Sequence, residues 1–565
     1  MKGENKSFFI VYDNINISHR RRDQRLNNHD SFESGTTATL IVSSLTPEVE
    51  AVRNTDILLD TEKLYPTMEQ EAHLKEVSRH HLTNVVQRHM VCFKNNGSSD
   101  PSSPLVPVPE KEPLPVEKTE AYPLPSMHID QATVEGNLDI VQTIFEKFLK
   151  LPYSWFDNHK RIFIAGDQLT ISRLRSLARL RWDDLNAYFR QEWCIPVIQL
   201  FHLQMVLACT ILRTHFGEKA VGGSLAFFIS LLRRARIGLD KPDFHATDEF
   251  LRHTFDALVL TAWKTEVGVD DLDAFAEEQG ENLGDTLCQR VDNIIDRLLV
   301  TENLPSLQNR LSQNAALFLR DMVLYLELGS AIKAGDVGRI TEIIRWLTVW
   351  FQGGKNKNYA MELLRLHCGL EYSWTPNTKA AVKVSWLVNT TGKPNRFIPT
   401  DLFQEHNNLL IKTIHSAKGS NASWEYLEDK ISTNIFSFKT ISTKVGNVFR
   451  TSYISGNHTS SSTSGDIHKL MESIRSHGIF GTERREEYDD VSAVKDLYFE
   501  GSKISESGRI PSFIASNSCW RDDNNYDGDD DDDGDDDDDL EMEEDEEKEE
   551  ELLTFDIEDY IHSTH

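Results

Sequence analysis

At 565 residues the chain is long enough for two or three domains and a large core, and 39% apolar with 27% charged residues reads as mostly globular. The formal charge of −30 is a poor guide to partners, because residues 521–565 hold 25 acidic and 2 basic side chains while the preceding 520 residues carry only −7, so nucleic-acid binding by the body is not excluded. Six scattered cysteines with no C-x-x-C pair argue against a zinc ribbon or disulfide scaffold and for a reducing, intracellular compartment, and no apolar run reaches the roughly 18 residues of a membrane span.

No basic region followed by an apolar stretch opens the chain, so no signal peptide is expected. It enters a core-type strand at once, Phe8 to Asp13, which reads as a domain that has lost an upstream module or as an incomplete gene model. A second strand is expected at Thr36–Val42, β-branched and partly alternating. Residues 46–95 read as partly helical. Residues 96–126 hold eight prolines among Ser, Glu and Lys, the composition of a disordered insertion. Leu138, Val141, Ile144 and Phe145 share one helix face, and Ile162–Gly166 is a fully apolar strand ending at Asp167. A helix capped by Thr170 is expected to run to about Arg190. Pro196–Phe201 reads as a strand closing at His202.

Residues 203–355 read as a large helical insertion, and Asn358 starts a further helix through Cys368. Residues 375–435 form a mixed end piece, 441–520 read as mostly flexible, and 521–565 as a disordered acidic tail. The fold class expected is mixed α/β, helix-rich, with a central sheet.

Two buried strands that each run into an aspartate suggest paired carboxylates at the ligand-binding crevice of such a sheet. Two divalent ions about 4 Å apart hold the attacking and leaving oxygens of a phosphodiester, and Mg2+ (or Mn2+) needs only two or three carboxylates. Asp13 and Asp167 are the first two candidates. Glu362 is the third, with Glu405 as its alternative, and His202 and His406 are supporting partners or alternative ligands. An Asp after a strand is equally ordinary turn or cap chemistry, and a lone helix Glu usually faces solvent. Arg173, Arg175, Arg179 and Arg181 on the helix after Asp167 are candidates to neutralise DNA phosphates, as are clusters at Arg233, Arg234, Arg236 and at Lys393, Arg396, Lys412, Lys418. No zincin, Walker A or nucleophile-elbow pattern is present. The acidic runs Asp529–Asp533, Asp535–Asp539 and Glu541–Glu551 suit histones or other basic proteins, and Leu552, Leu553, Phe555, Ile557 and Tyr560 after them suit a short docking motif.

Gly166-Asp167-Gln168-Leu169-Thr170, Tyr12-Asp13-Asn14, Phe201-His202-Leu203-Gln204-Met205, Gly335–Arg339, Asn358-Tyr359 and Asp401–His406 together resemble a group of uncharacterised fungal proteins, the domain of unknown function 6589. The resemblance spans roughly residues 7–435 and supplies no activity. The element order is also similar to the RNase H-like core of cut-and-paste DNA transposases. In that fold the first Asp lies on the first strand, the second ends the fourth strand, and a Glu lies on a late helix after a helical insertion. The resemblance implies Asp13, Asp167 and Glu362 as a metal-binding triad for DNA strand transfer or cleavage, in a nuclear protein. The alternative it implies is a catalytically inactive, domesticated nuclear scaffold that binds proteins. The third strand of the expected opening meander is not visible in the sequence.

Overall fold

The computed structural model describes residues 7–19, 31–43, 61–90, 104–156, 161–239, 242–307, 309–354, 356–418, 423–449, 463–481, 488 and 490–505. The strands among the described residues are β1 (Ser7–His19), β2 (Ser31–Ser43), β3 (Ala121–Pro123), β4 (Ile162–Gly166), β5 (Cys194–Ile198), β6 (Leu387–Val388) and β7 (Ile398–Pro399). The helices of eight residues or more are α1 (Met68–His89), α2 (Val134–Gln142), α3 (Gln168–Leu180), α4 (Leu200–His215), α5 (Leu225–Leu232), α6 (Phe244–Val267), α7 (Leu272–Gln279) and α8 (Leu283–Leu298). They continue with α9 (Arg310–Ala334), α10 (Val337–Gly353), α11 (Lys357–Cys368), α12 (Pro376–Ser385), α13 (Thr400–Lys418), α14 (Ile435–Phe449), α15 (Ser464–Ser476) and α16 (Leu497–Ile504).

The main sheet has the order β3-β2-β1-β4-β5. Its first three strands form an antiparallel meander, and β4 and β5 run parallel to β1. Because side chains alternate, each strand feeds two cores. Ile10, Tyr12, Leu40, Ile162 and Ile164 pack under α2 and the aromatic cluster of Phe145, Phe156, Tyr188 and Trp193. Phe9, Val11, Ile41, Phe163 and Ala165 face the helical block instead. The apolar runs Phe8–Tyr12 and Ile162–Ala165 are thus strands buried on both sides, as their composition requires.

Several boundaries differ from expectation for physical reasons. β1 continues past Asp13 to His19, because Ile15 and Ile17 find a separate core with Ile411, Leu427, Ile431 and Ile435. Asp167, not Thr170, caps α3, and α3 stops at Leu180 rather than Arg190. Asp183 and Asp184 oppose the dipole of a helix end there, and Leu180, Trp182 and Leu185 find no core. β5 ends at Ile198, so His202 lies in the first turn of α4, not at the close of a strand.

The Pro-rich segment is described from residue 104 onward and is a strap, not a disordered insertion. Its prolines donate no backbone N–H, and several of the remaining donors are taken up by the body. Leu105 donates to Gln87, Lys111 and Glu112 to the Asp336 carboxylate at 2.9 Å each, and Leu114 to the Gly335 carbonyl. Beyond Thr119 the strap pairs with β2 as β3, which supplies the missing third strand of the meander. Part of the segment expected to be flexible is also packed. Ile467, Leu470 and Ile474 of α15 are buried where that helix meets α6. α16 crosses α10 where Gly353 meets Gly501; a Cβ on Gly501 would stand 1.9 Å from the Val349 carbonyl oxygen. The acidic tail and residues 450–462 lie outside the described residues. Among the described residues no helix is long and apolar enough to cross a membrane.

Candidate active site

The register of the sheet brings the two aspartates together. Ile10 pairs with Ile164 and Val11 with Ala165 on the parallel strands β1 and β4. Asp13 and Asp167 each lie three residues beyond the first pair, on the face shared by Val11 and Ala165. Neighbouring strands run about 4.8 Å apart, so the two carboxylates project into one crevice at the C-terminal end of β4. The Asp167 Oδ1 accepts the Thr170 N–H at 2.8 Å and starts α3. Gly166 permits that turn, since a Cβ there would lie 2.8 Å from Thr170 Cγ2.

Helix α13 crosses the same face and is held by a buried polar layer. Thr39 Oγ1 donates to Gln404 Oε1 at 2.6 Å, and Gln404 Nε2 donates to Thr37 Oγ1 at 2.8 Å. Asn407 Nδ2 donates to Thr39 Oγ1 at 3.1 Å. Thr37 also donates to Asn408, whose Nδ2 donates to Asp13 Oδ2 at 2.8 Å. These bonds fix helix against strand and place Glu405 in hydrogen-bond contact with Asp13.

Burial lifts the Asp13 carboxyl well above the usual carboxylate range, and the charges of Glu405 and then Asp167 lift it further. Glu405 is raised as well, first by burial, against the pull of His202 and Lys412. Two like charges this close do not both ionise without a cation between them.

His202 supplies one cation. Asp401 accepts the backbone N–H groups of Phe201 and His202 and the His202 Nδ1 at 3.0 Å, while Nε2 lies 3.9 Å from Glu405. Gln199, at the N-cap of α4, gives no side-chain cap, so Asp401 satisfies the orphan donors of that helix from across the fold. Burial disfavours the imidazolium, but Asp401, Asp167 and Glu405 overrule it and raise the His202 pKa to about 10.

Glu362 is placed differently. Its buried carboxylate is bonded by Arg175 Nε and Nη2, the latter at 2.6 Å, and by Arg365 Nη1 at 2.6 Å. Asp13 feels Glu405, Asp167 and His202 as its charged neighbours. His406 is buried on α13 beside Glu405. Of the four arginines on and after α3, Arg175 is committed to Glu362 and Arg181 to Asp184 and the Phe189 ring. Arg173 reaches the Gln131 carbonyl at 3.4 Å, and Arg179 is exposed. Arg234 bridges Glu249 and Asp466. Lys418 lies at the end of α13, where side chains are outside the described residues. Asp401, Gln404, Asn407 and Asn408 were not among the site residues expected from sequence, although Asp401–His406 is one of the motifs that carry the family resemblance. Asp401, Gln404, Glu405 and Asn408 recur at i, i+3, i+4 and i+7, so the signal was a polar stripe on one helix face.

The site has the donors for a hard divalent ion: carboxylates from three elements, two of them in contact. Among the described residues, no three His, Cys, Asp or Glu side chains converge as a formed metal cluster.

The profile of a family of unknown function, DUF6589, matches residues 53–458. The chain belongs to this family. The DUF6589 match includes Asp167, His202, Glu362 and the whole polar stripe of α13, and begins after Asp13. No curated protein and no solved structure matches the chain.

Proposed function

We propose that this DUF6589 chain is an RNase H-like, transposase-derived protein whose Asp13, Asp167 and Glu405 form a magnesium-dependent site for DNA cleavage or strand transfer. The observation that carries the reading is the like-charge contact of Asp13 with Glu405 beside Asp167, at the end of a sheet ordered 3-2-1-4-5. A meander followed by two parallel strands, with a helical block before the last carboxylate, supports the RNase H-like assignment. Glu405 replaces Glu362 as the third carboxylate, since Glu362 is neutralised by two guanidiniums.

Bound magnesium would polarise the scissile phosphate and activate a water or a DNA 3′-hydroxyl. The chain's own residues supply the rest. Asn408 orients Asp13, Asp401 orients His202, and His202 brings positive charge to the crevice beside Glu405. DNA and a nuclear location belong to this reading as its partner and setting.

The test uses the full chain with calorimetric Mg2+ or Mn2+ titration and a DNA cleavage assay. Wild type is expected to bind the ion and cut DNA, with both lost in Asp167→Asn and Glu405→Gln and retained in a folded Glu362→Gln. A wild type that takes up no ion, in an intact fold, would favour the inactive scaffold, with His202 as the permanent counter-charge.

A further inference from the structure

Helix α14 leaves the body with an unmatched apolar face. Its first residues are anchored, Ile435 in the core and Phe436 against Phe403. Beyond them Phe438, Ile441, Val445 and Val448 recur at a–d heptad spacing, and their exposure runs from 39% at Phe438 to 78% at Val448. A helix this short, with Ile, Thr, Val and Gly446 in its interior, is marginal in water without a partner on its apolar stripe.

A basic surface adjoins it. The strap lies against the β6–β7 turn, where Thr119 donates its N–H to the Asn389 carbonyl and a Cβ on Gly392 would stand 3.1 Å from the Lys118 nitrogen. The far side of the same turn is bonded through Phe397 to the Lys333 carbonyl. Lys118, Lys393, Arg396 and Lys333 are thereby gathered, all exposed, and the strap beyond Lys118 runs as β3 against Ser432–Asn434, the turn that leads into α14 and its Lys439. Among the described residues no ion pair engages Lys118, Lys393, Arg396 or Lys439, and Lys333 feels Asp248 without an ion-pair contact. Lys439 is held below the usual lysine range by burial and then by Lys118, and Lys333 by burial and then by Arg252, against the pull of Asp248, with Arg396 adding to the lowering.

We propose that residues 541–561 of the same chain dock here, the run Glu541–Glu551 on the cationic surface and Leu553, Ile557 and Tyr560 on the apolar face of α14. The two chemistries occur in the segment as one tract, acid first and apolar after, and Leu553, Ile557 and Tyr560 recur at i, i+4 and i+7. A nucleic-acid backbone matches the cations but offers nothing to the Ile441–Val448 row. A second copy matches the row but not the charge, since α14 carries Lys439 and Lys444 and no acid. Between Ser505 and Leu552 lie 46 residues, whose extended length on the order of 150 Å reaches any point of the body. Tethering makes the encounter intramolecular, so modest contacts suffice. This docking is independent of whether the carboxylates hold metal.

The experiment is amide hydrogen exchange on the full chain, read in peptides covering 437–449 and 552–561. Leu553→Asp with Ile557→Asp is expected to lower protection across 437–449 by about tenfold or more, leaving the rest of the map unchanged. Ile441→Asp with Val445→Asp, both at exposed positions, is expected to release 552–561, and Lys118→Glu with Lys439→Glu to do so in a salt-dependent way. Unchanged protection in both apolar variants overturns the docking. So does protection that rises with protein concentration, as a second copy requires, or that appears only on adding duplex DNA.

Discussion

Two regions of this molecule bury carboxylates, and they do it in opposite ways. In the helical block, among the described residues, the buried acids have cationic or neutral donors around them. Glu327, fully buried, accepts from Arg339 Nε at 2.7 Å and meets His81 Nε2 at 3.0 Å. Asp321 holds His215 Nε2 at 2.8 Å and the Trp350 indole at 2.8 Å. Burial alone would raise Glu327, yet the bonds from His81 and Arg339 bring it down to about 2. At the crevice the acids face one another instead, and Asp13 is pushed up. Balanced networks hold a fold together; unbalanced ones are kept only where an ion, a proton or a substrate completes them.

The contrast is broken most severely by removing a partner from the block. Glu327→Gln leaves Arg339 buried and unpaired and is expected to cost about 3–5 kcal/mol, read by urea denaturation. Acid sharpens the same point. Glu327 is depressed in the folded state, so its contribution is present above the ordinary carboxylate range and is lost as pH falls towards about 2, on the order of 3 kcal/mol. Denaturation midpoints between pH 5 and pH 2 are expected to drop steeply in wild type and less in Glu327→Gln. Glu362→Gln tests which kind of site Glu362 belongs to: a stability loss of about 3 kcal/mol with metal uptake intact is expected.

Asp13→Asn is expected to act with the opposite sign, raising stability by about 1 kcal/mol at neutral pH. Asp13 binds its proton more tightly folded than unfolded, so stability falls as pH rises from the ordinary carboxylate range through the raised value. The variant removes that slope while Asn408 keeps its acceptor. The smallest effect is expected from Asn407→Ala, about 1 kcal/mol by denaturation, because Thr39 retains Gln404.

The parts of this architecture visible in sequence were those carried by local pattern. Phe8–Val11 and Ile162–Ala165 announce themselves because burial on both faces leaves no polar position. The helical block shows because its apolar spacing repeats. β3 is three residues long among prolines and takes its identity from β2, about eighty residues earlier, so nothing local marks it. The choice between Glu362 and Glu405 was undecidable locally for a similar reason. Each is a helix glutamate beside apolar residues, and what separates them is whether Arg175 or Asp13 lies opposite. The stripe Asp401–Gln404–Glu405–Asn408 looks like a solvated face, and Thr37 and Thr39, more than 360 residues away, together with Phe201 and His202, make it a buried one.

Asp336 has a reach that its role as a helix cap does not convey. Its carboxylate accepts Arg339 N–H at the start of α10 and, from the strap, the N–H groups of Lys111 and Glu112. The strap in turn ends as β3, the cover over the outer rim of β2. Losing that one carboxylate is therefore expected to slacken the strap ahead of β3, leaving Leu114 and Thr119 as its ties, and to weaken the cover of a thirteen-residue strand far from the mutation. Asp336→Ala is a lesion whose signature is self-association, with chains adding edge to edge on β2 while the helical block is still folded.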